Sequence, residues 1–133
     1  MTARENLRRL RESEAELAAL EETLLRLDAE AAALGAQGAE GAQAELCALA
    51  DEVRAQRDAL RCFRTETTRR ILAVQAQELR TLLLLYYVDG CTWDQVAAQM
   101  NYAVSYVWKL HRAALQQFAA SAESGEEKSR MRV

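Results

Sequence analysis

The chain has 133 residues, half of them apolar, and a formal net charge of −3, which suits one ordinary domain or two small units. An acidic balance argues against a protein that coats nucleic acid indiscriminately, and three scattered cysteines with a single histidine provide neither a disulfide framework nor a zinc site, so the thiols are read as reduced. The start, MTARENLRRL, turns charged at once without the apolar stretch of an export signal. The longest apolar run, Leu82 to Val88, falls far short of the roughly 20 residues needed to cross a bilayer. The expectation is a cytoplasmic protein with no membrane partner.

Proline is absent and Ala, Leu, Glu, Gln and Arg dominate, so the sequence predicts an all-α fold. Leu10, Leu17, Leu24 and Ala31 recur every seven residues, and Ser13, Leu20, Leu27 and Leu34 fill the companion position. This heptad stripe requires a partner helix. The run GAQGAEG, with Gly35, Gly38 and Gly41, lets the chain turn back over 35–41. A second helix from about Ala42 carries Leu46, Leu49, Val53, Leu60 and Phe63, interrupted by Gln56. Residues 1–78 are therefore predicted to form an antiparallel, coiled-coil-like helical hairpin, and the same stripe would serve a homodimer through the N-terminal helices. The pattern weakens at Thr65, Thr67 and Thr68, and the polar stretch Gln75 to Glu78 marks a break.

A third helix follows from Leu79, Leu82, Leu83 and Tyr86 on one face. Leu84, Leu85 and Val88 make the other face apolar too, so this helix needs cover on several sides. Gly90 after Asp89 suits the left-handed position that ends a helix. Thr92-Trp93-Asp94-Gln95 is a capping box that opens a short fourth helix, whose inner face holds Trp93, Val96, Ala97 and Met100. Asn101, tolerant of positive φ, stands at a tight turn. On the last helix Val107, Leu110, Ala114 and Phe118 face inward with His111 at their edge, while Ser105, Lys109, Arg112 and Gln116 face outward. Residues 121–133 are polar and mixed in charge, and read as a disordered tail.

A short capped helix, a turn and a longer helix make a helix-turn-helix over residues 79–120, with the helix 104–118 as its reader. The DNA-binding residues expected from this pattern are Val104, Ser105, Tyr106, Trp108, Lys109, Arg112 and Gln116. The first of these would touch bases in the major groove of double-stranded DNA, and Lys109 and Arg112 would meet phosphates or guanine acceptors. Charge points the same way by a small margin. Residues 1–34 carry five arginines against eight acids and 35–78 six against seven, whereas 79–120 carry three basic residues against two acids. Trp93 reads as core ahead of base stacking, and His111 as a packed, hydrogen-bonded histidine ahead of a phosphate ligand.

The stretch LLLLYYVDGCTWDQVAAQMNYAVSYVWKLHRAALQQF resembles region 4 of the major class of bacterial sigma factors, in particular the small phage and mobile-element regulators that carry it behind N-terminal helices. The resemblance spans Leu79 to Phe118 and rests on Tyr87, Gly90, Thr92-Trp93, Val96-Ala97, Met100, Tyr102, Val107, Leu110-His111 and Ala114-Leu115. It implies a promoter-reading transcriptional regulator, and it leaves contact with RNA polymerase open. The chain is not expected to be a complete sigma factor, since no aromatic-rich promoter-melting segment is present. Two positions depart from the family pattern: Tyr86 stands where arginine is usual, and Ala103 where a capping serine is usual.

Nothing in the sequence offers a catalytic constellation, a metal-ligand cluster or a phosphate loop, so neither enzyme activity nor a cofactor is expected. Two other roles fit a helix-turn-helix joined to oligomerising helices. One is a small terminase subunit in phage DNA packaging, and the other is a protein-interaction module that keeps the fold without binding DNA.

Overall fold

The computed structural model describes residues 2–131, with side chains through Ser121. The elements of the described residues are all helices, with no strand among them, as the composition predicted. Helix α1 spans Ala3–Ala36 and α2 Glu40–Leu72; α3 spans Gln77–Leu83 and continues as a π-helical turn over Leu84–Val88; α4 spans Trp93–Met100 and α5 Val104–Met131. None of the helices is long and apolar enough to cross a membrane among the described residues.

Two compact units divide the chain. Residues 13–63 form one, and the other joins the first twelve residues to those from Arg64 onward. This division differs from a hairpin over 1–78 followed by a separate unit. The physical reason lies in α1, where Leu7 and Leu10 are fully buried and Arg11 donates to backbone carbonyls of Tyr86 and Cys91. The first turns of α1 thus belong to the core of the helix-turn-helix unit.

In the unit of residues 13–63, α1 and α2 form the antiparallel hairpin. The chain reverses at Gly38, whose φ of +76° calls for glycine, and the Ala39 amide closes the turn on the Leu34 carbonyl at 2.9 Å. Ion pairs from Arg61 to Glu21 at 2.6 Å and from Arg54 to Asp28 at 3.5 Å hold one register across the helices. On α1 the seam is the one the heptads gave, with Ser13, Leu24 and Ala31 buried. On α2 it runs through Leu46, Ala50, Val53, Arg57 and Leu60, all buried or half-buried, while Leu49 points outward at 44% exposure and Gln56 lies on the surface. Counting only large apolar residues misses this seam, because it uses an alanine and an arginine stem.

The other unit contains most of the buried bulk. Of the ten largest fully buried side chains, all but Ser13 belong to it, among them Leu7, Leu10, Ile71, Val74, Leu82, Leu83, Val96, Val107 and Phe118. At about 1.5–3 kcal/mol for each large apolar side chain removed from water, cohesion is concentrated here. Arg70 lies over the Phe118 ring with its guanidinium carbon 4.4 Å from the centroid. Arg80 crosses from α3 to the Val74 carbonyl at 3.0 Å, securing the α2–α3 turn.

The stretch read as one regular helix ending at Asp89-Gly90 changes pitch at Leu84. The Asp89 amide reaches back five residues to the Leu84 carbonyl at 2.9 Å, and the Cys91 amide six residues to the Leu85 carbonyl at 3.0 Å. Gly90 follows with φ +74°. Helix α5 continues past residue 120. The backbone of 121–131, expected to be disordered, is helical, in keeping with the Ala, Glu, Lys and Arg content of the segment; Arg132 and Val133 lie outside the described residues.

Candidate nucleic-acid interface

Helix α4 starts where the capping box placed it. The Gln95 amide donates to the Thr92 hydroxyl at 3.2 Å and the Thr92 amide to the Gln95 side-chain oxygen at 2.9 Å, satisfying two amides that a helix start leaves without partners. Its end is equally local. Asn101 takes φ 60° and ψ 42°, the Tyr102 amide donates to the Ala97 carbonyl at 3.0 Å, and the chain turns into α5 within three residues. Val96 and Ala97 on α4 are buried, as are Val107 and Ala114 on α5. Ala97 is small where the two helices must come close.

Helix α5 begins without a side-chain cap from its neighbours. Ala103 offers only its carbonyl, which accepts the Tyr106 and Val107 amides at 3.0 and 3.1 Å. Neither Asn101 nor Ser105 supplies the missing cap among the described residues. Beyond this start the predicted faces separate. Ser105, Lys109, Arg112 and Gln116 are exposed in one row at spacings of four, three and four. Trp108, at 54% exposure, and Tyr106, at 43%, stand on either flank, and Tyr106 makes an edge contact with Tyr102 at 4.8 Å. Val104 is half-buried. Among the described residues neither Lys109 nor Arg112 is held in an ion pair, so both cationic heads are available. The Glu78 carboxylate near Tyr102 in the turn raises its phenol pKa.

Behind this face lies an aromatic cluster that fixes the orientation of α5. Tyr86 stacks on Trp93 with centroids 3.8 Å apart and planes 14° from parallel, and Trp93 meets the His111 ring edge-on at 4.7 Å. The Tyr87 hydroxyl is 2.6 Å from His111 Nε2; in the tautomer protonated at Nδ1 the phenol donates and the imidazole accepts. Burial pushes the Tyr87 phenol up to about 12, with a smaller push from Tyr86 and opposing pulls from Arg4, Arg11 and Arg8. Burial, and then the charge of Arg4, lower the His111 pKa, which favours the neutral ring. Cys91, in the turn before α4, is half-buried and accepts a weak hydrogen bond from Gln99 at 3.8 Å.

Tyr86 also receives a cation from the first helix of the chain. The Arg11 guanidinium lies 4.0 Å above the Tyr86 ring centroid and donates to the carbonyls of Tyr86 and, at 2.9 Å, Cys91. Arg4 and Arg8 share its face of α1 at spacings of four and three. The start of that helix is fixed by a second capping box, in which the Glu5 amide donates to the Thr2 hydroxyl at 3.1 Å and the Thr2 amide to Glu5 Oε2 at 3.0 Å. These three arginines and the aromatic cluster line a cleft of about 340 Å³. The sequence reading named none of the three as site residues. The row itself is plain in the sequence, but what it faces is set by pairings 75 and 80 residues away.

The division into units also sharpens the charge argument. The unit holding the helix-turn-helix carries thirteen basic residues against nine acidic ones, a balance of +4, while residues 13–63 carry four against eleven, a balance of −7. The thin margin found by cutting the chain at residue 78 becomes a clear segregation once the first twelve residues are counted with the unit they pack in.

No family model, curated protein or solved structure matches the chain.

Proposed function

We propose that the protein is a sequence-specific DNA-binding regulator of transcription, of the phage or mobile-element type that its residues resemble, and that it reads promoter DNA with the outer face of α5. The observation that carries this reading is the face itself. Ser105, Lys109, Arg112 and Gln116 form an exposed polar row on a helix whose inner side is fully packed, and the unit presenting the row has a positive balance in an acidic chain. An α-helix fits the major groove, and Lys, Arg, Gln and Ser are residue types that pair with base edges and phosphates. Trp108 and Tyr106, on the flanks, are placed to pack against the sugar–phosphate walls. The capped turn from Thr92 through Asn101 sets the angle between α4 and α5, on which this mode of docking depends.

The test is selection of bound sequences from random duplex DNA, followed by titration of the best sequence against the wild type and a Lys109→Ala, Arg112→Ala double variant. At about 1 kcal/mol for each lost contact, the double variant should bind roughly 30-fold more weakly, with an unchanged circular dichroism spectrum. Absence of any enriched sequence, or equal affinity of the two proteins, would overturn the proposal.

A further inference from the structure

We infer that the cleft between the first turns of α1 and the aromatic cluster is a phosphate-binding site, and that its occupant is the backbone of the duplex read by α5. The site stands on its own geometry; the choice of occupant rests on the proposed DNA reading.

The cleft, about 340 Å³ in volume, has no acidic side chain in its lining. Arg11 is committed to two carbonyls and the Tyr86 ring. Arg4 and Arg8 are exposed and are held in no hydrogen bond or ion pair among the described residues. In the hairpin, by contrast, Arg54, Arg57 and Arg61 each hold a carboxylate. Three like charges at spacings of four and three on one helix face repel one another. An anion seated against Arg4 and Arg8 would relieve that repulsion. The floor of the cleft feels the uncompensated charge, since the arginines pull the Tyr87 phenol pKa down against its burial and Arg4 disfavours protonation of His111.

The chemistry of the cleft suits phosphate. Guanidinium groups bind phosphate oxygens through paired N–H donors, and in the tautomer whose Nε2 accepts from Tyr87 the His111 ring carries a proton on Nδ1 that can be donated. The Thr2–Glu5 capping box fixes the start of the helix that carries Arg4 and Arg8, and Tyr86 and Tyr87 of the π turn, neighbours in sequence, both join the aromatic cluster. Arg4 and Arg8 lie one helical turn apart, about 6 Å along α1, a row better matched to successive phosphates of a strand than to one compact anion. His111 adjoins Arg112 in sequence and follows Trp108 by three residues, so the cleft and the outer face of α5 meet on one helix. A duplex lying on that face would present its flanking backbone to the cleft.

His111 is the single histidine of the chain, so its ring protons report on the cleft without ambiguity in a proton NMR spectrum. The full chain is titrated with inorganic phosphate, with sodium chloride of equal ionic strength as control, and separately with a selected short duplex. The expected result is a saturable His111 shift with phosphate beyond that seen with chloride, lost in an Arg4→Gln, Arg8→Gln double variant. The same variant should bind the duplex more weakly, with a salt dependence shallower by nearly 2 in log–log slope, from about 0.9 for each lost phosphate contact, and with unchanged base preference. No phosphate-specific shift, or a shift that survives in the double variant, overturns the site whatever α5 does. A phosphate-specific shift in a chain that binds no duplex overturns the DNA reading and the assigned occupant while upholding the site, whose ligand is then a free phosphate compound. An unchanged salt slope in a variant that has lost the shift overturns the duplex as occupant.

Discussion

Replacing Tyr87 by phenylalanine separates two contributions of the aromatic cluster. At neutral pH the hydroxyl satisfies His111 Nε2 across 2.6 Å. An orphaned buried acceptor costs about 1–3 kcal/mol, and the half-buried position of His111 places the loss at the lower end, about 1 kcal/mol. At alkaline pH the sign reverses. The folded pKa of Tyr87, pushed from 10.0 to about 12, lies above that of the unfolded chain, so folding favours the protonated phenol. Its contribution is complete below pH 10 and is lost as pH rises towards 12. With Tyr87 only 6% exposed, the loss approaches a ceiling of about 3 kcal/mol, from roughly 1.4 kcal/mol per pH unit. Urea unfolding followed by circular dichroism from pH 7 to 12 reads the difference between wild type and Tyr87→Phe, in which the remaining tyrosines cancel. The wild type should be more stable by about 1 kcal/mol at pH 7, with the gap closing near pH 11 and inverting beyond, on the arithmetic above. A gap that stays constant across the whole range would refute the buried Tyr87–His111 pair.

Two further outcomes follow from the turns around α4 and α5. Ala103→Ser should supply the missing cap of α5 and stabilise the protein by about 1 kcal/mol, read as a higher urea midpoint; an unchanged or lower midpoint would show that the start of α5 does not adopt cap geometry. Asn101→Val should destabilise by about 1–2 kcal/mol, because a β-branched residue is strained at φ 60°, whereas Asn101→Gly should cost little. Equal midpoints for the two would contradict the left-handed turn.

What could be read from the sequence was local. The Thr92–Gln95 box, the left-handed Asn101, Gly90 and the reversal at 35–41 depend on a few adjacent residues, and each appears in the structure at its expected place. The α1 heptads were equally plain because leucine fills most of their positions. The α2 seam was not, since Ala50 and Arg57 occupy it and Leu49 does not. The π turn was hidden inside an apolar run, which has the same composition in either pitch. Longer-range pairings left no pattern: Arg11 meets carbonyls 75 and 80 residues away, and that placement turns the arginine row of α1 from a solvated face into the wall of a cleft. For the same reason the outward residues of α5 could be named from periodicity, whereas Arg4 and Arg8 could not.

The isoelectric point of about 5.3 describes neither unit. It averages a strongly acidic hairpin with a basic helix-turn-helix unit, and a solution brought to that pH cancels the charge of the whole while leaving both parts charged. Net repulsion between molecules vanishes there, yet the basic surface of one copy still attracts the acidic surface of another. Self-association near the isoelectric point should therefore be reversed by added salt, as screening over about 8–10 Å weakens contacts between opposite charges.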